Sequence, residues 1–230
     1  MGGRKLHRAP PAGGGRGFSA RPEPMSPERF RREIRKLAPG ADPEPLFLLA
    51  ELLREMAYPL GLIGEDREDL LRERHLLDSA RLVPYLSSGP VADLGSGAGL
   101  PGLVLAVLRP DLEIWLIEPR RKAVSFLEYA RAKLGLKRVK ILRARAQDPE
   151  VPREYFHTVT ARAVAELARL WEYAAPLLLP EGYLLALKGP RAPQEIRNLQ
   201  DLHPELQVQA FRYPLSGKGT GLVVKIRRGV

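Results

Sequence analysis

Three glycines at alternate positions, Gly95, Gly97 and Gly99, form the part of this sequence best suited to chemistry. They follow a short, mostly apolar strand that carries Asp93, and an amphipathic helix comes after them, all near residues 91–109. Glycine is used where the backbone turns sharply and a ligand must approach it closely, because a Cβ atom would obstruct both. In open α/β sheets, ligands bind at such a place, outside the carboxyl end of a strand. The pattern therefore predicts a ligand-binding turn.

A second carboxylate stands where it could meet the same ligand. Residues 112–118 read as a strand that ends in Glu118, sixteen residues after Gly102. A carboxylate in this position typically accepts hydrogen bonds from the hydroxyls of a ribose. The glycine turn and Glu118 together indicate a site for a cofactor that contains a nucleoside.

Two kinds of nucleoside cofactor fit this site. Gly97, Gly99 and Gly102 have the spacing of the dinucleotide fingerprint, which is a weak signal by itself. A dinucleotide would bring its pyrophosphate to the turn, where Asp93 would repel it. S-adenosylmethionine (SAM) instead carries a sulfonium and an ammonium group, which a nearby carboxylate attracts. This interpretation favours SAM, and a nucleotide-dependent oxidoreductase is the alternative.

Other candidate residues stand where predicted strands end. Arg162 ends the fourth strand, where an arginine faces the ligand crevice, and a surface ion pair is the alternative. Lys188 ends the fifth strand in the same way. Its amine is either a solvated tip, exposed to water at the strand end, or a contact to the substrate. Ala146 and Gln147 follow the third strand, where a backbone amide and a side-chain amide suit the N1 and N6 edge of an adenine.

His75 is open to two interpretations. It packs among leucines as a structural residue, or it lies beside the glycine turn with Arg72 and Arg74 and contacts substrate phosphates. The four histidines are scattered along the chain, so we expect no metal site. The chain has no cysteine, which excludes methyl transfer to C5 of a pyrimidine through a cysteine adduct.

The elements that position these residues alternate between strand and helix from Val91 onward, as is typical of a parallel sheet. No helical pattern separates the last two strands, so we expect them to pair as an antiparallel hairpin at the sheet edge. The predicted fold class is α/β, with the Rossmann-like, seven-stranded, mostly parallel sheet of class I SAM-dependent methyltransferases. The predicted strands are 91–94, 112–118, 138–143, 156–162, 183–188, about 207–213 and 221–227, with helices at about 101–109, 120–134, 165–178 and 193–201.

Three segments divide the chain. Residues 1–24 are rich in Gly, Pro and Arg and carry too little apolar surface to order themselves, so we expect a disordered basic tail. This tail is either an arm that contacts nucleic acid or an over-extended start ahead of Met25. Residues 25–89 form a small helical module, with helices to about residue 38, from about 43 to 57 and from about 66 to 86. Residues 90–230 form the predicted SAM-binding domain.

The charge and hydropathy of the chain limit the kinds of partner that it can have. The net charge of +10 is typical of a protein that meets nucleic acid, although a generally basic surface would also produce it. No apolar run approaches the roughly 18 residues of a membrane span, and the N-terminus has no signal-peptide core. We therefore expect a cytoplasmic protein that binds RNA and does not bind a membrane. We also expect it to be a monomer.

Taken together, several motifs resemble the RsmG/GidB family, which methylates N7 of a guanine in 16S ribosomal RNA. The resemblance runs from about Arg72 to Lys188. It implies SAM as the cofactor and 16S ribosomal RNA or the 30S subunit as the substrate. Its motifs are residues 74–79, 93–102, 109–110, 121–127, 161–163 and 187–189.

Carried over by position, the resemblance implies cofactor contacts for Gly95, Leu100, Ala146, Gln147 and Arg162, with Glu118 at the ribose. With Asp93, Gly97 and Gly99 these are the candidate cofactor-binding residues. The candidate catalytic residues are Arg162, Lys188 and His75.

Three positions depart from the family pattern. Residues 60–64 replace an Asn-Leu-Thr run, residues 219–221 replace an Arg-His pair, and His157 replaces an aspartate. These departures leave the RNA target open. They also leave open a second interpretation, in which the chain is a divergent paralogue that binds SAM and RNA but has a different target or no catalytic activity.

Overall fold

The computed structural model describes residues 24–215 and 219–229 of the chain. The predicted basic tail therefore lies, except for its last residue, outside the described part. Helix α1 (Pro27–Leu37) has a capped beginning: the Ser26 hydroxyl accepts the backbone N–H of Arg29 at 3.2 Å, and proline occupies the first helical position.

Two further helical segments follow α1. Helix α2 (Pro45–Leu52) continues into a wider π-helical stretch, Leu53–Ala57. The next segment runs without a break through α3 (Glu68–Leu70), a second π-helical stretch and α4 (Asp78–Ala80). It ends earlier than predicted, and a short 3₁₀ turn at Val83–Tyr85 follows, because Pro84 has no N–H to donate to the carbonyl of Ala80 and its ring would clash with that carbonyl.

The sheet confirms the predicted fold class. Its strand order is β3-β2-β1-β4-β5-β7-β6, with β7 antiparallel to both β5 and β6 and the other neighbours parallel. The fifth strand starts earlier than predicted, since Leu178 pairs with Phe156 across a register shift. The strands are β1 (Val91–Leu94), β2 (Ile114–Ile117), β3 (Val139–Leu142), β4 (Phe156–Arg162), β5 (Leu178–Lys188), β6 (Leu206–Pro214) and β7 (Thr220–Arg228).

Helices cover both faces of this sheet. Alternate residues of a strand face opposite ways, so Val91 packs into one core and Ala92 into the other. The first core contains the N-terminal helices with α5 (Gly102–Leu108) and α6 (Arg121–Lys133). The second contains α7 (Leu167–Ala174) and α8 (Ala192–Leu202).

Strand β1 lies at the point where the strand order reverses, with β2 on one side and β4 on the other. Such a point opens a crevice at the carboxyl ends of the strands, which is the usual ligand site of this architecture. Among the described residues, no helix has the length and apolar character to cross a bilayer.

Candidate functional site

The glycine turn needs its glycines for two different reasons. Gly97 has φ +56°, a left-handed conformation, and only the Arg120 guanidinium lies within 3.4 Å of where its Cβ would be. Gly102 has no room at all, because a Cβ there would lie 2.2 Å from Leu116 and 2.7 Å from the Asp93 carboxylate. Gly97 therefore leaves its outer side open, whereas Gly102 allows α5 to pack closely on the sheet.

Asp93 stabilises the glycine turn from its buried side. The side chain is fully buried, and its two carboxylate oxygens accept hydrogen bonds from the backbone N–H of Gly102 at 3.0 Å and the hydroxyl of Thr160 at 3.1 Å. Burial raises the pKa of Asp93 to about 7. Both oxygens thus have protein partners, and a direct contact between Asp93 and a ligand stays a prediction.

Glu118 stabilises the glycine turn through the backbone of Gly97. One carboxylate oxygen accepts the backbone N–H of Gly97 at 2.8 Å, and the other accepts the backbone N–H and the Nε of Arg120 at 2.9 and 2.8 Å. Burial opposes its ionisation, but these hydrogen bonds together keep the pKa of Glu118 below its ordinary value. The carboxylate is therefore charged and directly beside the turn, although the side chain is only 2% exposed.

Three adjoining clefts surround the turn, and we name them for their surroundings. The turn cleft, about 260 Å³, is lined by residues that include Gly97, Leu100 and His75. The amide cleft, about 370 Å³, contains Ala146 and Gln147. The outer cleft, about 600 Å³, lies at the ends of β4 and β5. They are contiguous: Gly95 lines the first two, Val164 lines the amide and outer clefts, and Arg162 lines the turn and outer clefts.

The amide cleft suits a flat, partly apolar group. The carbonyl oxygens of Ala146 and Gln147 accept hydrogen bonds from Arg153 at 3.2 and 2.8 Å, which fixes the loop after β3. Apolar or aromatic residues from the neighbouring elements complete its walls: Leu94, Ile117, Pro119 and Tyr173.

Arg162 and His75 meet at the junction of the turn and outer clefts. Arg162 donates to the Nδ1 of His75 at 2.9 Å and to its carbonyl oxygen at 3.3 Å. Because a guanidinium has no acceptor, Nδ1 must be the unprotonated nitrogen of the ring. Burial and then the charge of Arg162 lower the pKa of His75 to about 4. His75 is thus a neutral acceptor that positions Arg162.

Asp78 and Tyr213 extend this contact into the outer cleft. Asp78 lies 3.8 Å from Arg162 and accepts the hydroxyl of Tyr213 at 2.5 Å. Tyr213 is paired with Gly221 across the β6–β7 hairpin, and a Cβ at Gly221 would lie 2.4 Å from the tyrosine ring. The ring therefore needs a glycine opposite it in order to lie across β7.

Two interpretations from the sequence are corrected. Lys188 is not a solvated tip: its side chain is 10% exposed, and its amine donates to the carbonyl of Ala165 at 2.5 Å and to Glu195 at 2.6 Å. Arg72 does not lie beside the turn, because it is buried and donates to the carbonyl of Met25 at 3.1 Å. The outer cleft does contain Lys188 in its lining, so a substrate contact for that residue stays a prediction.

Sequence reasoning missed several residues of these clefts. Arg120 could have been suspected, because it follows Glu118 by two positions at the end of a strand. Tyr213 had a signal in the glycine opposite it in the hairpin. Leu62 and Ile63 line the turn cleft; their loop, residues 60–64, drew attention only as a departure from the family pattern.

Comparisons with known proteins agree on one family. A family model described as rRNA small subunit methyltransferase G, GidB, matches residues 44–222. The protein named ribosomal RNA small subunit methyltransferase G in Nocardioides sp. is 48% identical over 147 residues, which are 64% of this chain and 58% of that protein. The protein of the same name in Halorhodospira halophila is 40% identical over 84% of this chain and 90% of its own length. The chain thus spans about three fifths of some curated relatives and nearly all of another.

Solved structures share the fold at low sequence identity. A Methanococcus maripaludis protein proposed to be a SAM-dependent methyltransferase has a TM-score of 0.55 and 13% identity, covering 80% of this chain and 91% of its own. A precorrin-6y C5,15-methyltransferase of Geobacter metallireducens has a TM-score of 0.52 and 13% identity, covering 66% and 86%.

Proposed function

Because the chain belongs to the GidB family, whose model matches residues 44–222, we propose that it is a SAM-dependent methyltransferase of 16S ribosomal RNA. The observation that carries the proposal is the hydrogen bond from the backbone N–H of Gly97 to the buried carboxylate of Glu118. It places a carboxylate, which is paired with Arg120, at the turn beside two clefts that can hold a nucleoside and an amino-acid group.

This hydrogen bond supports SAM rather than a dinucleotide. A dinucleotide fold uses the backbone N–H groups of its glycine turn to bind a pyrophosphate. Here the N–H of Gly97 already has a carboxylate partner, so it is not available to a pyrophosphate. SAM carries no phosphate and does not need this N–H group.

The residues of the turn and amide clefts fit the parts of SAM. Ala146 and Gln147 of the amide cleft would hold the adenine, and Gly95 with Leu100 of the turn cleft the methionine end. Glu118 lies behind the lining of both clefts, and it would exchange its contact with Arg120 for the hydroxyls of the ribose. Gly97 leaves open the space that a Cβ would fill, while Gly99 and Asp93 shape the turn from behind. When bound, SAM supplies an electrophilic methyl group next to the outer cleft.

The outer cleft would receive the target base, which we propose is a guanine methylated at N7. N7 keeps a lone pair in the plane of the ring, so no proton has to be removed before methyl transfer. The site agrees, since the Nδ1 of neutral His75 is already bound by Arg162 and the amine of Lys188 by Glu195. The task of the protein is then to align the base with the methyl group. The base must be unstacked to enter.

Calorimetric titration tests the cofactor, and methyl incorporation tests the reaction. We expect micromolar SAM binding, no NAD binding, and tritiated methyl transfer to a single guanine of 16S ribosomal RNA, either free or in 30S particles. Binding of NAD alone would contradict the proposal and favour an oxidoreductase. Binding of SAM and RNA without methyl transfer would favour a divergent paralogue.

We also propose that the protein acts in the cytoplasm, where ribosomal RNA is assembled into ribosomal subunits, and that it acts as a monomer. Sedimentation of the purified protein, alone and with 30S particles, tests the second point. A stable dimer would contradict it.

A further inference from the structure

The positive charge of this chain is concentrated in one short segment. Residues 120–145 contain ten lysines and arginines but a single acidic residue, Glu128. The other 204 residues contain 27 basic and 26 acidic side chains, so nearly all of the net charge of +10 belongs to this segment. We infer that residues 120–145 form a docking surface for the phosphate backbone of RNA, an inference that rests on the proposed function. We call it the β3-edge surface.

The fold gathers these residues at one end of the molecule. The segment contains α6, β3 and the loop that follows, and β3 is the outermost strand of its edge. Arg131 is half-buried, and the other nine basic residues are exposed: Arg120, Arg121, Lys122, Lys133, Lys137, Arg138, Lys140, Arg143 and Arg145.

Few carboxylates neutralise this surface. Among the described residues, three of its basic side chains have an acidic partner within 4.0 Å, and the other seven have none. The three pairs are Arg120 with Glu118, Arg131 with Glu128, and Lys140 with Glu113. Like charges held together repel one another and destabilise the folded chain. A bound polyanion relieves that repulsion and releases its own counterions, which favours binding.

The surface leads into the proposed cofactor site. Arg145 belongs to it and also lines the amide cleft beside Ala146. Neighbouring strands lie about 4.8 Å apart, so β3 is roughly 19 Å from β5, whose end lines the outer cleft. RNA held at the β3 edge therefore makes its contacts several nucleotides away from a base in the outer cleft. Such phosphate contacts provide affinity and orientation, and they do not select the base.

A purely structural explanation covers only part of the surface. A lysine on an edge strand discourages pairing with other sheets, and this accounts for Lys140. It does not account for the basic residues of α6 or for Arg143 and Arg145, which lie outside the strand.

A pair of triple variants with the same change of net charge tests the inference. The first replaces Lys137, Arg138 and Arg143 of the β3-edge surface with glutamine. The control replaces three exposed residues at the opposite edge of the sheet with glutamine: Arg197, Arg212 and Arg227. Binding of deproteinised 16S ribosomal RNA is measured over a range of salt concentrations, together with SAM affinity and thermal unfolding.

We expect the β3-edge variant to lose roughly tenfold or more in RNA affinity, and its log–log salt slope to flatten by about 2–3, because each phosphate contact contributes about 0.7–0.9. The control variant should keep most of the affinity and slope, and both should bind SAM and unfold like the parent. Equal losses in the two variants, or none in either, would overturn the docking surface. Failure of the parent itself to bind SAM and methylate RNA would contradict the proposed function instead.

Discussion

Arg162 at the end of β4 donates a hydrogen bond to the Nδ1 of His75, and this contact of 2.9 Å joins the sheet to the N-terminal helices at the edge of two clefts. The direction of donation leaves His75 neutral, with its proton on Nε2. The pair thus presents the guanidinium of Arg162 to both the turn cleft and the outer cleft.

Replacing Arg162 with alanine should impair methyl transfer strongly and weaken SAM binding to a lesser degree. Loss of a charge-assisted contact costs about 1.5–3 kcal/mol, or roughly ten- to hundredfold in rate or affinity. The pKa of His75 should also rise from about 4, because the charge of Arg162 helps to lower it. Turnover on 30S particles, SAM titration and an NMR titration of His75 measure the three effects.

The exposed Arg197 of α8 provides the control, since Arg197→Ala removes the same charge outside all three clefts. If Arg162→Ala transfers methyl groups as fast as Arg197→Ala, Arg162 does not line the working site.

Gly97→Val should abolish SAM binding, because a branched side chain would enter the space in front of the turn. The backbone strain of a left-handed residue is a separate effect, and Gly135 measures it. Gly135 has φ +64° and nothing within 4 Å of its missing Cβ. We expect Gly135→Val to unfold more easily, as Gly97→Val does, and yet to bind SAM like the parent. Calorimetry on both folded variants separates loss of the cofactor site from the effect of backbone strain. Unchanged SAM affinity in Gly97→Val would show that the cofactor does not bind in front of Gly97.

The fold could be predicted from the sequence more fully than the site. Strand and helix patterns are local, so the strand β1 and the hairpin that contains Tyr213 were both predicted with nearly the observed bounds. The contacts of the site are not local. Arg162 reaches His75 across 87 positions of the chain, and Tyr213 reaches Asp78 across 135. No spacing rule predicts such pairs, which depend on how the helical segments pack against the ends of the strands.

Asp93→Asn should change how stability depends on pH. The pKa of Asp93 is raised to about 7, so the folded protein keeps a proton that the unfolded chain releases near pH 4. This contribution to stability is complete at low pH and is lost as the pH rises through 7. Asparagine does not titrate, so Asp93→Asn should gain stability relative to the parent between about pH 4 and 7. Urea unfolding at several pH values measures the difference.

The comparison with the parent is essential, because His75 acts in the opposite direction. Its lowered pKa makes the folded state lose stability as the pH falls from about 6.5 to 4. Asp111→Asn is the control for Asp93→Asn, since Arg109 lowers the pKa of Asp111 and that carboxylate stabilises the folded state above about pH 4. A difference between Asp93→Asn and the parent that does not vary with pH would show that Asp93 is not buried as described.

Lys188→Ala should destabilise the protein and lower turnover while leaving SAM affinity nearly unchanged. Lys188 and Glu195 are 10% and 14% exposed, and the same Glu195 oxygen also accepts the backbone N–H of Leu167 at 3.1 Å. Removing the lysine leaves a buried carboxylate without its cation, which costs about 3–5 kcal/mol. It also frees the carbonyl of Ala165, so the loop between β4 and α7 loses a support beside the outer cleft.

A double variant tests whether the unpaired carboxylate of Glu195 causes the loss of stability. Lys188→Met combined with Glu195→Gln removes both charges and keeps an acceptor for Leu167, so it should be more stable than Lys188→Ala. Lys36→Ala is the control, because Lys36 pairs with Glu33 at 61% and 24% exposure, and such surface pairs are worth about 0–1 kcal/mol. Urea unfolding gives the stabilities, and tritiated methyl transfer gives the turnover. If Lys188→Ala is as stable as Lys36→Ala, the pair does not support the loop, and any loss of turnover then points to a direct contact between Lys188 and the RNA.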